Sequence, residues 1–363
     1  MVQERARACL LAGVVTALAV ALAIAGWIGW RQPGQAPLVP RGPLAAVLLP
    51  DVGSSALIVV DLGASRVVRR IALRSTVTDI ALDASSGVVV AAQAGGFGAD
   101  VDQAVSLTDP RTGAVRYVGL PAPDPGELAC IDGRAYALHG VVEASGTVVS
   151  VVDVGAARVV ATGNVAGPPG LWTPSGGALW TTADTLGSLS RVRRITPQGL
   201  SVRTLSVGTI LPQGLSDIGG RLLIMGARGA DDPAGAVAFV SAEDGAVEVS
   251  ATVVGLTRAP CAAVRVGTRL LVGDWNGEEP ETRALRALDA MTLKDLGEIA
   301  VDGIPCAIAA WEDRLVAVDR ERGRLLTIDP VSGEVLASVD LGARGLVYSD
   351  VVVIDAPKAG QLP

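Results

Sequence analysis

LTDPRTGAVRYVGLP (107–121) and IDPVSGEVLASVDL (328–341) follow one pattern. In each, an apolar run ends in Asp, a short turn containing Gly follows, and a run of alternating character begins. Alternation with a period of two marks a half-buried strand, so each stretch reads as a hairpin. An Asp at the first turn position can accept bonds from backbone amides ahead of it. Gly113 or Gly333 supplies the left-handed residue of a bulged hairpin.

Working outward, five further stretches carry the same pattern: 59–73, 151–165, 195–207, 240–254 and 288–301. The polar residues opening the seven turns are Asp61, Asp109, Asp153, Thr196, Ser241, Asp289 and Asp329, which stand 40 to 48 residues apart. A period of about 45 is the length of a four-stranded propeller blade. A second hairpin lies upstream of each turn, as in CAAVRVGTRLLVGD (261–274) and CAIAAWEDRLVAVD (306–319), so a blade reads A–B–C–D. Blade 1 lacks an A strand and opens on AAVLL (45–49); the missing strand is sought in GLVYSDVVVID (345–355). Pairing the two termini within one blade removes the exposed edges of an open array. The sequence therefore predicts an all-β, seven-bladed β-propeller over 44–357, closed by its C-terminal strand.

A short tail, 1–8, precedes CLLAGVVTALAVALAIAGWIGW (9–30), an uncharged apolar run of membrane-spanning length. Trp27 and Trp30 close it where an interfacial aromatic belt is expected. This predicts a transmembrane signal-anchor helix with the propeller on the extracytoplasmic side of the cell membrane. The alternative is secretion after cleavage at the small residues around Ala23 and Ala25. RQPGQAPLVPRGP (31–43) is a Pro-rich linker, and 358–363 is a tail. Half of the residues are hydrophobic, so the chain can bury a large core, and the net charge of −7 argues against a basic nucleic-acid surface.

The resemblance is to the YVTN-type propeller repeats and the wider family similar to the quinoprotein amine dehydrogenase β-chain. It rests on Asp-Pro-x-Thr/Ser-Gly followed by Val (Asp109–Val115, Asp329–Val335) and on Pro-x-Gly-Leu (Pro168–Leu171, Pro212–Leu215). The tetrapeptide Tyr-Val-Thr-Asn itself is absent. The resemblance implies the fold and little about function.

Two surfaces are candidates for a binding face. Aligning the starts of the A strands places Thr78, Gly126, Pro169, Gln213, Cys261, Cys306 and Arg344 at one position near the axis, with Asp79 and Glu127 beside them. The long B–C connections 94–102, 226–235 and 273–282 form the second surface, with Trp275, Glu278 and Glu279 in the last. Long loops on a rigid scaffold commonly carry binding. Cys261 and Cys306 occupy matching positions on adjacent blades, so a disulfide between them is one expectation and free thiols the other. With one histidine, His139, at the end of a B strand and no Cys-x-x-Cys, no catalytic, cofactor or metal residues are assigned.

Three functions compete on these grounds. The first is a non-catalytic binding or scaffold module with an envelope protein or carbohydrate partner. The second is a lactonase- or lyase-type enzyme, and the third a quinoprotein-like redox subunit. The absence of a catalytic constellation favours the first.

Overall fold

The computed structural model describes residues 40, 42–51, 54–94, 103–143, 146–167, 170–182, 190–229, 232–241, 243–253, 262–273, 284–344, 346 and 349–356. The expected helix over 9–30, the linker as far as Val39 and the C-terminal tail lie outside them. The described residues form an all-β, seven-bladed β-propeller and contain no helix.

Each blade is a four-stranded antiparallel sheet. Blade 1 holds β1 (Leu44–Leu49), β2 (Ala56–Asp61) and β3 (Arg66–Ala72). Blade 2 is β4 (Val77–Asp83), β5 (Val88–Gln93), β6 (Ala104–Thr108) and β7 (Val115–Gly119). Blade 3 is β8 (Pro125–Ile131), β9 (Arg134–Glu143), β10 (Gly146–Asp153) and β11 (Arg158–Val165). Blade 4 is β12 (Trp172–Ser175), β13 (Ala178–Thr182), β14 (Arg191–Thr196) and β15 (Ser201–Ser206). Blade 5 is β16 (Leu211–Asp217), β17 (Leu222–Gly229), β18 (Asp232–Val240) and β19 (Val247–Val253). Blade 6 is β20 (Ala262–Val266), β21 (Arg269–Gly273), β22 (Ala284–Asp289) and β23 (Asp295–Ala300). Blade 7 is β24 (Pro305–Trp311), β25 (Arg314–Asp319), β26 (Arg324–Ile328) and β27 (Val335–Asp340). Finally β28 (Val351–Ile354) returns to blade 1 and pairs with β1, Leu44 opposite Ile354 and Val47 opposite Val351.

The period of two decides the packing. Along β1, Ala45, Val47 and Leu49 face blade 7, where they meet Val316, Val318 and Trp311. Leu44, Ala46 and Leu48 point the other way and meet Ile80, Val89 and Ala91 of blade 2. The same division repeats around the ring, giving one apolar cluster per blade–blade seam. Burial of such seams is the main favourable term for the fold. Trp172, Trp180 and Trp311 are all buried between blades.

The C–D turns follow the expected chemistry. Asp329 Oδ1 accepts the N–H groups of Val331 and Ser332, each at 2.8 Å, and the Gly333 N–H reaches the Asp329 carbonyl at 3.0 Å. Gly333 has φ +77°, and a Cβ there would stand 2.5 Å from the Ala300 carbonyl oxygen. At the matching turn position four other blades carry Ser65, Ala157, Leu200 and Leu293, all with positive φ.

Two expectations need correction. The closing strand is Val351–Ile354 rather than all of 345–355, because the chain first crosses from blade 7 as a strap. Leu341 N–H and Leu346 N–H pin that strap to the carbonyls of Gly323 and Arg320, at 2.9 and 3.0 Å. Most of 226–235 is not a loop: β17 and β18 extend into it and pair as far as Gly229 opposite Asp232. Ladder bonds satisfy this Gly-rich backbone better than a loop would.

Candidate functional site

The innermost strands touch in cyclic order, β28 to β4 to β8 and on through β12, β16, β20 and β24 back to β28. Four of them begin with a register shift, and the residue displaced by the shift is Thr78, Gly126, Gln213 or Cys306. The position aligned from sequence is therefore a β-bulge. Bulges re-aim a side chain out of the ladder and recur beside functional sites.

In blade 2 the re-aimed residues join the next blade. Thr78 Oγ1 lies 3.0 and 2.9 Å from the carbonyl oxygens of Pro125 and Gly126, to which it can donate. Asp79 Oδ2 accepts the Leu128 N–H at 2.6 Å. Glu127 and Asp350 complete a trio of carboxylates from three consecutive blades. Asp350 immediately precedes β28, and its carbonyl accepts the Leu48 N–H at 2.9 Å. Each carboxyl-bearing residue is half-buried.

Burial, followed by the charges of Glu127 and Asp350, raises Asp79 well above the usual carboxylate range, against the opposing N–H bonds of Leu128 and Ile80. Burial and then the Asp350 charge lift Glu127 to about 7. Burial lifts Asp350 to about 6, with the Val351 N–H opposing. Removal from water disfavours the charged form, and like charges disfavour it further. The trio therefore holds protons to higher pH than isolated carboxyl groups do. Among the described residues no three His, Cys, Asp or Glu are grouped so as to hold a metal ion.

The other polar residues near this rim are engaged. His139 is fully buried, with Nδ1 2.8 Å from the Pro123 carbonyl oxygen and Nε2 2.9 Å from Ser150 Oγ. Burial lowers its pKa, so the ring is neutral and structural. At the matching place in other blades, Gln93 Oε1 accepts from Ser75 Oγ at 2.8 Å and Asp319 Oδ1 accepts the Ile304 N–H at 3.3 Å. In each case the end of the B strand ties down the D–A connection.

Cys306 is a free thiol, and the pairing considered with Cys261 involves a residue outside the described ones. The bulge turns its Sγ toward the Val318 carbonyl at 3.5 Å, and burial pushes the thiol up to about 12. Cys261, Trp275, Glu278 and Glu279 lie outside the described residues. Gln213 is exposed on blade 5 at the bulge level. Arg344 is not on the ring, contrary to the alignment. It sits on the strap, several residues ahead of the place that Ser349 and Asp350 fill in blade 1.

That displacement puts Arg344 in a different feature. A cavity of about 260 Å³ opens at the seam of blades 7 and 1, lined by Arg70 and Arg344, Asp51, and apolar groups including Leu49 and Leu346. Sequence reasoning missed Arg70, Asp51 and Asp350. A signal existed only for Asp350, which precedes VVVI as Asp79 precedes IAL.

With this geometry in hand, solved structures give a close match in architecture. A functionally unknown protein from Desulfotomaculum acetoxidans DSM 771 aligns over 86% of this chain and 99% of its own, at 13% identity and a TM-score of 0.62. The dihydro-heme d1 dehydrogenase NirN aligns over 85% of this chain and 65% of its own, at 15% identity and a TM-score of 0.55. Hydrazine synthase of Kuenenia stuttgartiensis aligns over 70% and 76%, at 15% identity and a TM-score of 0.52. The likeness is one of fold. No family model and no curated protein matches the sequence. Since the structural neighbours include enzymes as well as a protein of unknown function, the fold alone does not assign a role.

Proposed function

We propose that this chain is a non-catalytic binding module, tethered to the cell membrane by residues 9–30, with its propeller outside the cytoplasm. Its repeat resembles the YVTN type, and the partner is an envelope protein or carbohydrate. One contrast carries the reading. Thr78, Asp79, His139 and Asp319 are consumed in hydrogen bonds that hold blades and connections together. Arg70 and Arg344, on the rim where the B–C and D–A connections emerge, are exposed and have no such partner among the described residues. Groups held for architecture are poor reagents, whereas unengaged ones on a rigid frame are available to a ligand.

A photo-crosslinking residue at Gln213 tests the face in intact cells. It should trap a partner that the same residue at Val331, exposed on the opposite rim, does not. Equal trapping at both positions counts against the proposal. An acid–base enzyme is the second reading, favoured by the Glu127 carboxyl near 7. Turnover abolished by Glu127→Gln with the fold intact would establish it instead. Carbonate extraction tests the tether: the chain should stay with the membrane fraction.

A further inference from the structure

We infer that the cavity at the seam of blades 7 and 1 binds a small oxyanion-bearing ligand, gripped by Arg70 and Arg344. This rests on the rim being the binding face and names the chemistry that the face would take.

Two guanidinium side chains, one from β3 and one from the strap, line a single cavity. Neither has a hydrogen-bond or ion-pair partner among the described residues. Three other arginines around this closure are used: Arg69 donates to the Arg111 carbonyl, Arg322 pairs with Asp302 at 2.8 Å, and Arg324 pairs with Asp319 at 2.9 Å. Two cations sharing one cavity repel one another, and an anion between them offsets that repulsion. The planar fork of Arg matches carboxylate and phosphate oxygens two at a time.

The walls are preorganised. Ser55, almost fully buried, accepts the Val77 N–H on its Oγ at 2.9 Å, and its backbone N–H donates to the Ser75 carbonyl at 3.1 Å. This fixes the start of β2, and the same Oγ lies 3.5 Å from the Asp51 N–H. On the other wall the strap is pinned on both sides of Arg344 by the bonds of Leu341 and Leu346. Gly323 lies against the strap so closely that a Cβ would fall on the Ala343 carbonyl oxygen. A site whose frame is already ordered loses little entropy when it fills.

The remaining lining completes the ligand description. Asp51 is the one carboxylate among the described lining residues, so two cations face one anion there and the net charge is positive. Its oxygens accept from a hydroxyl, while Leu49 and Leu346 offer an apolar floor. At about 260 Å³ the cavity is below the usual range for drug-sized ligands of roughly 300–1,000 Å³. The occupant is therefore a small, hydroxylated acid or phosphate, such as one residue of an acidic carbohydrate.

Titration calorimetry on the folded protein with glucuronate, inorganic phosphate and neutral glucose tests the assignment. Glucuronate or phosphate should bind one-to-one, with affinity falling as salt rises, and glucose should not bind. Phosphate alone binding would place the source in a phosphate group, and glucuronate alone in a sugar acid; either supports the oxyanion site. Arg70→Gln and Arg344→Gln should each weaken binding at least tenfold, while Arg158→Gln, on the exposed strand β11, leaves it unchanged. If either variant fails to fold, modification of the wild type by phenylglyoxal replaces it: bound anion should protect Arg70 and Arg344, read by mass spectrometry. No anion binding, or binding indifferent to both arginines and without protection, overturns the inference. Partner trapping at Gln213 that persists in the Arg70→Gln/Arg344→Gln variant would leave the binding face standing while this site fell.

Discussion

The joint between blades 2 and 3 and the joint between blades 7 and 1 are built from the same apolar packing, yet differ in their polar groups. At the first, Thr78 and Asp79 reach across to Pro125, Gly126 and Leu128, and the inner strands β4 and β8 make the most extensive contact of any neighbouring pair. At the second, where the ring is closed by a returning strand, the polar side chains Arg70 and Arg344 line an open cavity. A continuous-chain joint can be stapled directly. The closing joint must admit two chain ends and a strap, and that extra backbone leaves room. The closure has its own fastening, supplied by blade 2. Arg111 donates to the carbonyls of Pro40 and Gly42 at 2.8 and 3.1 Å and to that of Asp355 at 2.5 Å, binding the entry to β1 and the exit from β28 together.

Removing β28 has the largest expected effect. Truncation before Ser349 exposes the edge of β1 and removes buried Val351 and Ile354. The expected loss is about 5 kcal/mol or more, from side-chain burial and ladder bonds together. Calorimetry should show the cooperative melting transition lost, and an unchanged transition would refute closure by this strand.

Arg111→Ala comes next. It leaves three carbonyl groups without their charged donor, at a cost of roughly 2–3 kcal/mol. Urea denaturation should show a lower midpoint. An unaltered midpoint would mean that pairing of β1 with β28 closes the ring unaided.

The pH dependence separates the stapled joint from the rest. Glu127 and Asp350 have raised pKa values, about 7 and about 6, so the folded state holds protons that the unfolded chain has released. Their contribution is full below the unfolded carboxylate pKa of about 4 and is lost as pH rises through 6 to 7. Asp289, Asp302 and Asp329 shift the other way, lowered chiefly by hydrogen bonds from Thr292, Arg322 and Ser332. They stabilise above the unfolded pKa and lose that as pH falls below it. Melting temperature should therefore peak at about pH 4.5–5 and fall toward pH 7.5. Glu127→Gln should flatten the fall on the neutral side; a decline of the same size in that variant would remove the trio as its cause.

The smallest effect belongs to the turns. Ala157 adopts φ +52° where blades 2, 5 and 7 carry Gly. Ala157→Gly relieves the left-handed strain and gives up some unfolded-state entropy, for a net gain of at most about 1 kcal/mol. Gly333→Ala should lose more, since its Cβ also meets the Ala300 carbonyl. Equilibrium unfolding of both variants ranks them.

Much of the architecture was legible in sequence, because blade number and turn type depend on neighbours within about ten residues. Asp329, Gly333 and the alternating runs on either side specify a hairpin wherever they occur. Thr78, Asp79 and Glu127 were found by alignment for the same reason. Asp350 was missed and Arg344 misplaced because the crossing from blade 7 offers no period to count along. Blade 5 misled differently: its Gly-rich 226–235 reads as loop, but the partner strand supplies ladder bonds that composition does not reveal.

The sequence by itself determined a ring of seven similar hairpin pairs closed by its own C-terminus, since local periodicity and turn chemistry encode both. Tertiary structure alone decided which polar groups are spent on the frame and which remain open. Asp79 meets Asp350 and Arg70 meets Arg344 across more than 270 residues of chain. Their burial, charge and partners arise only when the ring brings its two ends together.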